Sequence, residues 1–241
     1  MTGVFDSGVG GLCAYRELRR LCPEENLIYL ADNEHAPYGT KTKDEILHLT
    51  KNNIRLLTDM GADRVLIACC SASSLYHLLD EWEREVSIPI IFPAAEMVTM
   101  DSRIAVIATR HTVNISAFGT EIHKICDATV CEMAEQELVR LVELGARDGR
   151  ISAECATELD RIADRVRRFC ANSLILGCTH FSHLEGELAE RLPDVKIISP
   201  AREGARAMSH RLGGTLPEEG KNIYLTTKTK RIRPVRLNSE I

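Results

Sequence analysis

Two stretches decide the fold: Leu66–Ile67–Ala68–Cys69–Cys70–Ser71–Ala72–Ser73 and Ile175–Leu176–Gly177–Cys178–Thr179–His180–Phe181–Ser182. Each reads as a buried strand ending in a cysteine, followed by small hydroxyl residues that turn into a helix. In open α/β sheets, ligand chemistry gathers where a strand ends and a helix begins. The free N–H groups of a helix start there favour an anion or a thiolate. The chain thus offers two similar thiol sites, one in each half.

Outward from these stretches, apolar strand-like runs alternate with helical patterns, the mark of mostly parallel α/β sheets. In the first half, strands are expected at Val4–Phe5, Leu27–Leu30, Arg64–Ala68 and Ile88–Phe92. Between them lie the loop Asp6–Ser7–Gly8–Val9–Gly10–Gly11, a helix through Arg20, a helix from Thr42 to Gly61, and a helix over 73–85. Thr42 and Glu45 have capping-box spacing, and Gly61 suits a helix stop. In the second half, strands are expected at Ile104–Ala108, Ala128–Glu132, Ser173–Gly177, Val195–Ser199 and Ile223–Leu225. Helices are expected over 113–125, 135–144 (stopping at Gly145), Ser152 to about Cys170, and 202–212. With the two cysteines superposed, Ser73 meets Ser182 and Leu75 meets Leu184. The pattern predicts two pseudo-symmetric α/β domains whose strand C-terminal ends face a shared cleft.

Composition narrows the function. The chain has 241 residues, 44% of them hydrophobic, enough for one large core or two small ones. A formal net charge of -5 gives no general affinity for nucleic acid. Nine scattered cysteines, an odd number, argue against a disulfide scaffold and for a reducing compartment. No apolar run reaches the length of a membrane span, and no secretory signal is evident. A cytoplasmic protein is expected, without membrane or nucleic-acid partners. Five of the nine residues from Lys228 to Arg236 are basic and none is acidic, which reads as a solvated end.

Two opposed thiols suit acid–base work on both faces of one carbon, one removing a proton and the other delivering one. Asp6 is placed to assist Cys69, and His180 to assist Cys178. Ser7, Ser71, Thr109, Thr112 and Thr179 offer hydroxyl donors to a carboxylate. Simpler readings compete. A buried strand-end cysteine is ordinarily a small hydrophobe. Gly8, Gly10 and Gly11 fall short of the dinucleotide fingerprint. Cys69, Cys70, Cys178, His180 and His183 are zinc-ligand types, but the Cys-x-x-Cys pair of a zinc site is missing and no metal is expected. His183 reads as a helix-surface residue.

These motifs together resemble the glutamate racemase family, within the aspartate/glutamate racemase group. Val4–Phe5–Asp6–Ser7–Gly8–Val9–Gly10–Gly11 resembles its opening motif, and Pro37–Tyr38–Gly39 its second. Ala68–Cys69–Cys70–Ser71–Ala72–Ser73 resembles the first cysteine motif, usually Ala-Cys-Asn-Thr-Ala-Ser. Leu141–Val142–Glu143–Leu144–Gly145 resembles the stretch carrying an acid, and Gly177–Cys178–Thr179–His180–Phe181 the second cysteine motif. The resemblance spans about residues 3 to 212.

It implies cofactor-independent interconversion of L- and D-glutamate, with Cys69 and Cys178 as the two bases, and supply of D-glutamate to peptidoglycan synthesis. Asp6 would assist Cys69; Glu143 and His180 would assist Cys178. Ser7, Pro37, Tyr38, Gly39, Cys70, Ser71, Thr109, Thr112 and Thr179 would hold the substrate. The implied domains are 1–92 plus 200–241, and 93–199; a homodimer is the expected assembly. The chain departs from the pattern at Cys70 (usually Asn), Ser71 (Thr), Ser182 (Pro), Glu135–Gln136 (Cys-Pro) and Thr226–Thr227–Lys228 (Thr-Gly-Asp). The Cys70 change keeps two alternatives open: a racemase for aspartate or another amino acid, and a racemase-like binding or regulatory protein with little turnover.

Overall fold

The computed structural model describes residues 1–98, 101–148, 151–212, 221–227 and 231–233. Of the basic tail, Lys228, Lys230 and Arg236 lie outside them. In chain order the first elements are β1 (Thr2–Asp6), α1 (Leu12–Leu21), β2 (Leu27–Ala31), α2 (Lys43–Asp59), β3 (Arg64–Ile67), α3 (Cys70–Ser73), α4 (Glu81–Val86), β4 (Ser87–Pro89) and α5 (Ile91–Glu96). Next come β5 (Arg103–Ala108), α6 (Arg110–Asn114), α7 (Ala117–His123), β6 (Thr129–Ala134), α8 (Gln136–Asp148), α9 (Ala153–Arg168) and β7 (Ser173–Gly177). The last are α10 (Glu185–Arg191), β8 (Lys196–Ile198), α11 (Pro200–Leu212), β9 (Asn222–Thr226) and β10 (Arg231–Arg233).

Two sheets result, in the orders β10-β9-β2-β1-β3-β4 and β6-β5-β7-β8. Every pairing is parallel except β9 with β10. β1, β2 and β7 are buried along their whole length, which is why they read as unbroken apolar runs rather than alternating ones. One apolar cluster joins the sheets: Leu12, Tyr15 and Leu18 of α1 and Ala201, Ala205 and Met208 of α11 share it with Val4, Val106 and Ile175. A second cluster lies under α8 and α9, and a third under α2.

The helix start at Thr42 is as expected. Its N–H donates to Glu45 Oε2 at 2.8 Å, and its hydroxyl accepts from the Glu45 N–H at 3.3 Å. Gly61 ends that helix at a φ of 93°. Other expectations need correcting. The single helix over 73–85 is broken: α3 ends at Ser73, a 3₁₀ turn covers Tyr76–Leu78, and Asp80 opens α4 with a capping box to Glu83. The strand over Ile88–Phe92 stops at Pro89, where the chain turns into α5. The helix over 113–125 breaks at Ser116, whose φ is 46°. Gly145 is no stop, since α8 continues to Asp148.

Candidate active site

The parallel register of each sheet delivers the functional residues side by side. Phe5 pairs with Ile67, and the Ala68 N–H donates to the Phe5 carbonyl at 2.9 Å, so Asp6 and Cys69 emerge from adjacent strand ends. In the second sheet Ala108 pairs with both Gly177 and Ala134. Thr109, Cys178 and Glu135 therefore lie just beyond three neighbouring strands.

Cys69 is buried, and its thiol donates to Ser7 Oγ at 3.7 Å. Burial, reinforced by the negative charge of Asp6, pushes the thiol up to about 12. Asp6 is fully buried. Its Oδ2 accepts the Gly8 N–H at 3.0 Å, and its Oδ1 accepts the Thr179 hydroxyl at 3.2 Å. That last bond ties the first cysteine's neighbour to the residue after the second cysteine. Gly10 makes the approach possible: a Cβ there would stand 2.6 Å from Thr179 Oγ1 and 2.9 Å from His180 Nδ1.

Cys178 precedes the 3₁₀ segment Thr179–Leu184. Its sulfur lies 3.7 Å from Nδ1 of buried His180. On the other side of the ring, Nε2 stands 3.2 Å from Oε1 of Glu143 on α8. This contact is an ion pair rather than an aligned hydrogen bond, because Nε2 has no bonded partner. Burial pulls the imidazole down, but Cys178 and Glu143 outweigh it and hold the group up at about 10. His180 is then a cation whose Nδ1 faces the Cys178 sulfur.

The hydroxyls converge. Ser71 Oγ lies 3.1 Å from Thr109 Oγ1 and 3.5 Å from Thr112 Oγ1, and the two threonine oxygens are 3.0 Å apart. Ser71 comes from the first sheet's connections and the threonines from the second's, so the cluster spans the junction. Cys70 is buried beside it, and desolvation together with the charges of Cys178 and Cys69 pushes its thiol well up. Gly39 abuts Thr109, where a Cβ would meet the threonine Cβ at 2.5 Å. Tyr38 is buried in the same apolar cluster as Cys69. The Tyr38 phenol donates to Asp32 Oδ2 at 2.5 Å and accepts from Asn53 Nδ2 at 2.9 Å, and Pro37 is exposed.

Two features escaped the sequence. Exposed His183 meets Cys13 of α1, with Nε2 3.6 Å from the sulfur; that contact is tertiary and leaves no mark in spacing. Asp32, which binds Tyr38, also accepts from Thr227 at 2.8 Å. Among the described residues no group of three or more His, Cys, Asp or Glu is placed to hold a metal ion. Nor is any helix among them long and apolar enough to cross a membrane.

Fold and site together define a class: a two-sheet α/β protein with buried thiols at paired strand ends, each supplied with its own acid–base neighbour. The profile of the Asp/Glu/Hydantoin racemase family matches residues 12–208, and the chain belongs to that family. It is 36% identical over 213 residues to a glutamate racemase of Desulforudis audaxviator, covering 85% of this chain and 76% of that one. With a glutamate racemase of Deinococcus radiodurans the identity is 33% over 240 residues, covering 93% and 81%. Among solved structures, glutamate racemase RacE1 of Bacillus anthracis superposes with a TM-score of 0.83 at 29% identity, covering 94% of this chain and 88% of that one. Glutamate racemase of Francisella tularensis in complex with D-glutamate gives 0.79 at 25% identity, covering 92% and 87%.

Proposed function

We propose that the protein is a glutamate racemase that interconverts L- and D-glutamate without a cofactor, by proton transfer at Cα between Cys69 and Cys178. The observation that carries this reading is the pairing of two differently assisted buried thiols across one junction. Cys69 sits with Ser7 and Asp6; Cys178 sits with His180 and Glu143.

The electrostatics suit the task. A Cα proton is weakly acidic, so the group that removes it must be a strong base once ionised. Held at about 12 by burial and by the charge of Asp6, Cys69 meets that need. The substrate's α-ammonium, arriving near Asp6, supplies the positive charge that lets a thiolate form. Deprotonation at Cα places negative charge on the α-carboxylate, where Ser7, Ser71, Thr109 and Thr112 offer hydroxyl donors, while the Thr179 hydroxyl is committed to Asp6. The opposite thiol then delivers its proton to the other face and the configuration inverts. Run backwards, the same step begins at Cys178, with His180 and Glu143 in the place of Asp6.

The two sheets support a division into 1–92 plus 200–241 and 93–199. The reading carries with it a cytoplasmic homodimer that supplies D-glutamate to peptidoglycan synthesis; sedimentation tests the assembly. Circular dichroism of L-glutamate incubated with the protein tests the activity: decay of the signal to zero is expected, and a constant signal refutes the reading.

A further inference from the structure

Glu135 is a charged residue in an unusual place. It follows β6 directly, and its N–H donates to the Ala108 carbonyl at the end of β5 at 2.9 Å. Its carboxylate is buried, with the residue only 4% exposed. Two arginines of α9 hold it: Arg165 Nη1 lies 2.7 Å from Oε1, and Arg161 pairs with Oε2. Arg161 is itself fixed to Glu158 at 2.6 Å. The next residue, Gln136, accepts the Arg110 N–H at 3.3 Å, one residue past Thr109. The first turn of α8 is therefore anchored in two directions, to α9 and to the start of α6. Two turns further along α8, on its exposed side, Glu143 reaches His180.

We propose that Glu135 is a positioning residue: its clamp on Arg161 and Arg165 fixes α8 against the strand ends, and so sets the Glu143–His180 contact beside Cys178. The proposal rests on the roles given to those three residues above. Its physical basis is directionality. The inner face of α8, Leu138, Leu141 and Val142, packs by apolar contact, which resists separation but tolerates sliding. Glu143 is 48% exposed, and the placement of the α8 backbone sets how far its carboxylate reaches toward His180. A two-arginine clamp on a buried carboxylate has fixed geometry and stops the slide. Buried ion pairs add little net stability over apolar packing, so placement is the better account of this one.

The test follows the His180 ring by ¹⁵N NMR titration, together with turnover of glutamate. The ionisable groups facing that ring are Cys178, Glu143, Asp6 and His183. In Glu135→Ala, the His180 titration is expected to move down toward its position in Glu143→Gln, with kcat/KM about tenfold lower. Arg165→Ala, which removes half of the clamp, is expected to act in the same direction, and Glu135→Gln to recover part of the loss. Adding Glu135→Ala to Glu143→Gln is expected to change neither quantity further. A lower melting temperature with an unmoved His180 titration and unchanged turnover overturns the proposal. Full additivity on Glu143→Gln does so as well. Were the wild-type protein inert toward glutamate, the proposed function would fall, and the His180 titration would still decide the role of Glu135.

Discussion

The Thr179 hydroxyl donates to Asp6 Oδ1 at 3.2 Å, joining residues 173 positions apart across the two sheets. Asp6 neighbours Cys69, and Thr179 follows Cys178, so this bond fixes the geometry of one thiol site relative to the other. Thr179→Val keeps the shape and removes the donor. It is expected to lower kcat/KM for glutamate by about 10- to 100-fold while KM changes little, because the bond orients groups rather than binding substrate uniformly. Thr179→Ser should restore most of the activity. Steady-state kinetics of the three proteins checks this.

In the proposed mechanism the two thiols act as a unit. Cys69→Ala and Cys178→Ala are each expected to cost about 100- to 10,000-fold in racemisation, since either change leaves one face of Cα without its acid or base. The double variant should be scarcely worse than either single one. Activity that survives in one single variant contradicts the two-thiol account.

His180 gives a stability signature. Its folded-state pKa is about 10, against an ordinary 6.5. The folded chain holds the ring proton more tightly than the unfolded chain, so the contribution is complete below about 6.5 and disappears as the pH rises through about 10. Calorimetry across this range should show the wild-type melting temperature falling toward that of His180→Gln. A gap between the two proteins that stays constant with pH contradicts the pairing of His180 with Cys178 and Glu143.

Steric closeness gives a sharper test at Gly10. A Cβ there would stand 3.0 Å from the His180 backbone nitrogen as well as crowding Thr179 Oγ1 at 2.6 Å. Gly10→Ala should push the segment from Thr179 away from Asp6 and lower kcat/KM by about 100-fold with the far-ultraviolet spectrum retained. Gly186→Ala, with nothing within 4 Å of the added carbon, is the control and should leave activity intact.

Cys70, proposed to contact the substrate, is where a change in substrate grip is expected. Its thiol is buried among Ser71, Cys69 and Cys178 and offers one weak donor where an amide would offer two strong ones. Cys70→Asn is expected to lower the KM for glutamate by about 10- to 100-fold, the worth of one charge-assisted hydrogen bond. Kinetics with both enantiomers of glutamate and aspartate checks this. Loss of the native reaction with gain of another would assign the unmodified protein a different substrate.

Much of this was legible in the sequence because parallel strands buried on both faces leave unbroken apolar runs. Their ends are marked by the small and hydroxyl residues that follow Cys69 and Cys178. Breaks inside helical patterns were not legible. Asp80 and Ser116 interrupt stretches whose apolar spacing carries on past them, and Gly145 looks like a stop but is spanned. The site's tertiary bonds were hidden as well. The bonds of the Tyr38 hydroxyl to Asp32 and Asn53 leave no mark in the Pro37–Tyr38–Gly39 motif. Glu135 showed only as a departure from a pattern, since its partner Arg161 lies 26 positions away.

Incubation of L-glutamate in heavy water, followed at Cα by ¹H NMR and chiral separation, tests two-thiol proton transfer most directly. The D-glutamate formed is predicted to carry deuterium at Cα from the first turnover, because the delivering thiol exchanges with solvent while the unreacted L-glutamate keeps its proton. D-glutamate that retains the original proton, or no D-glutamate at all, would contradict the account.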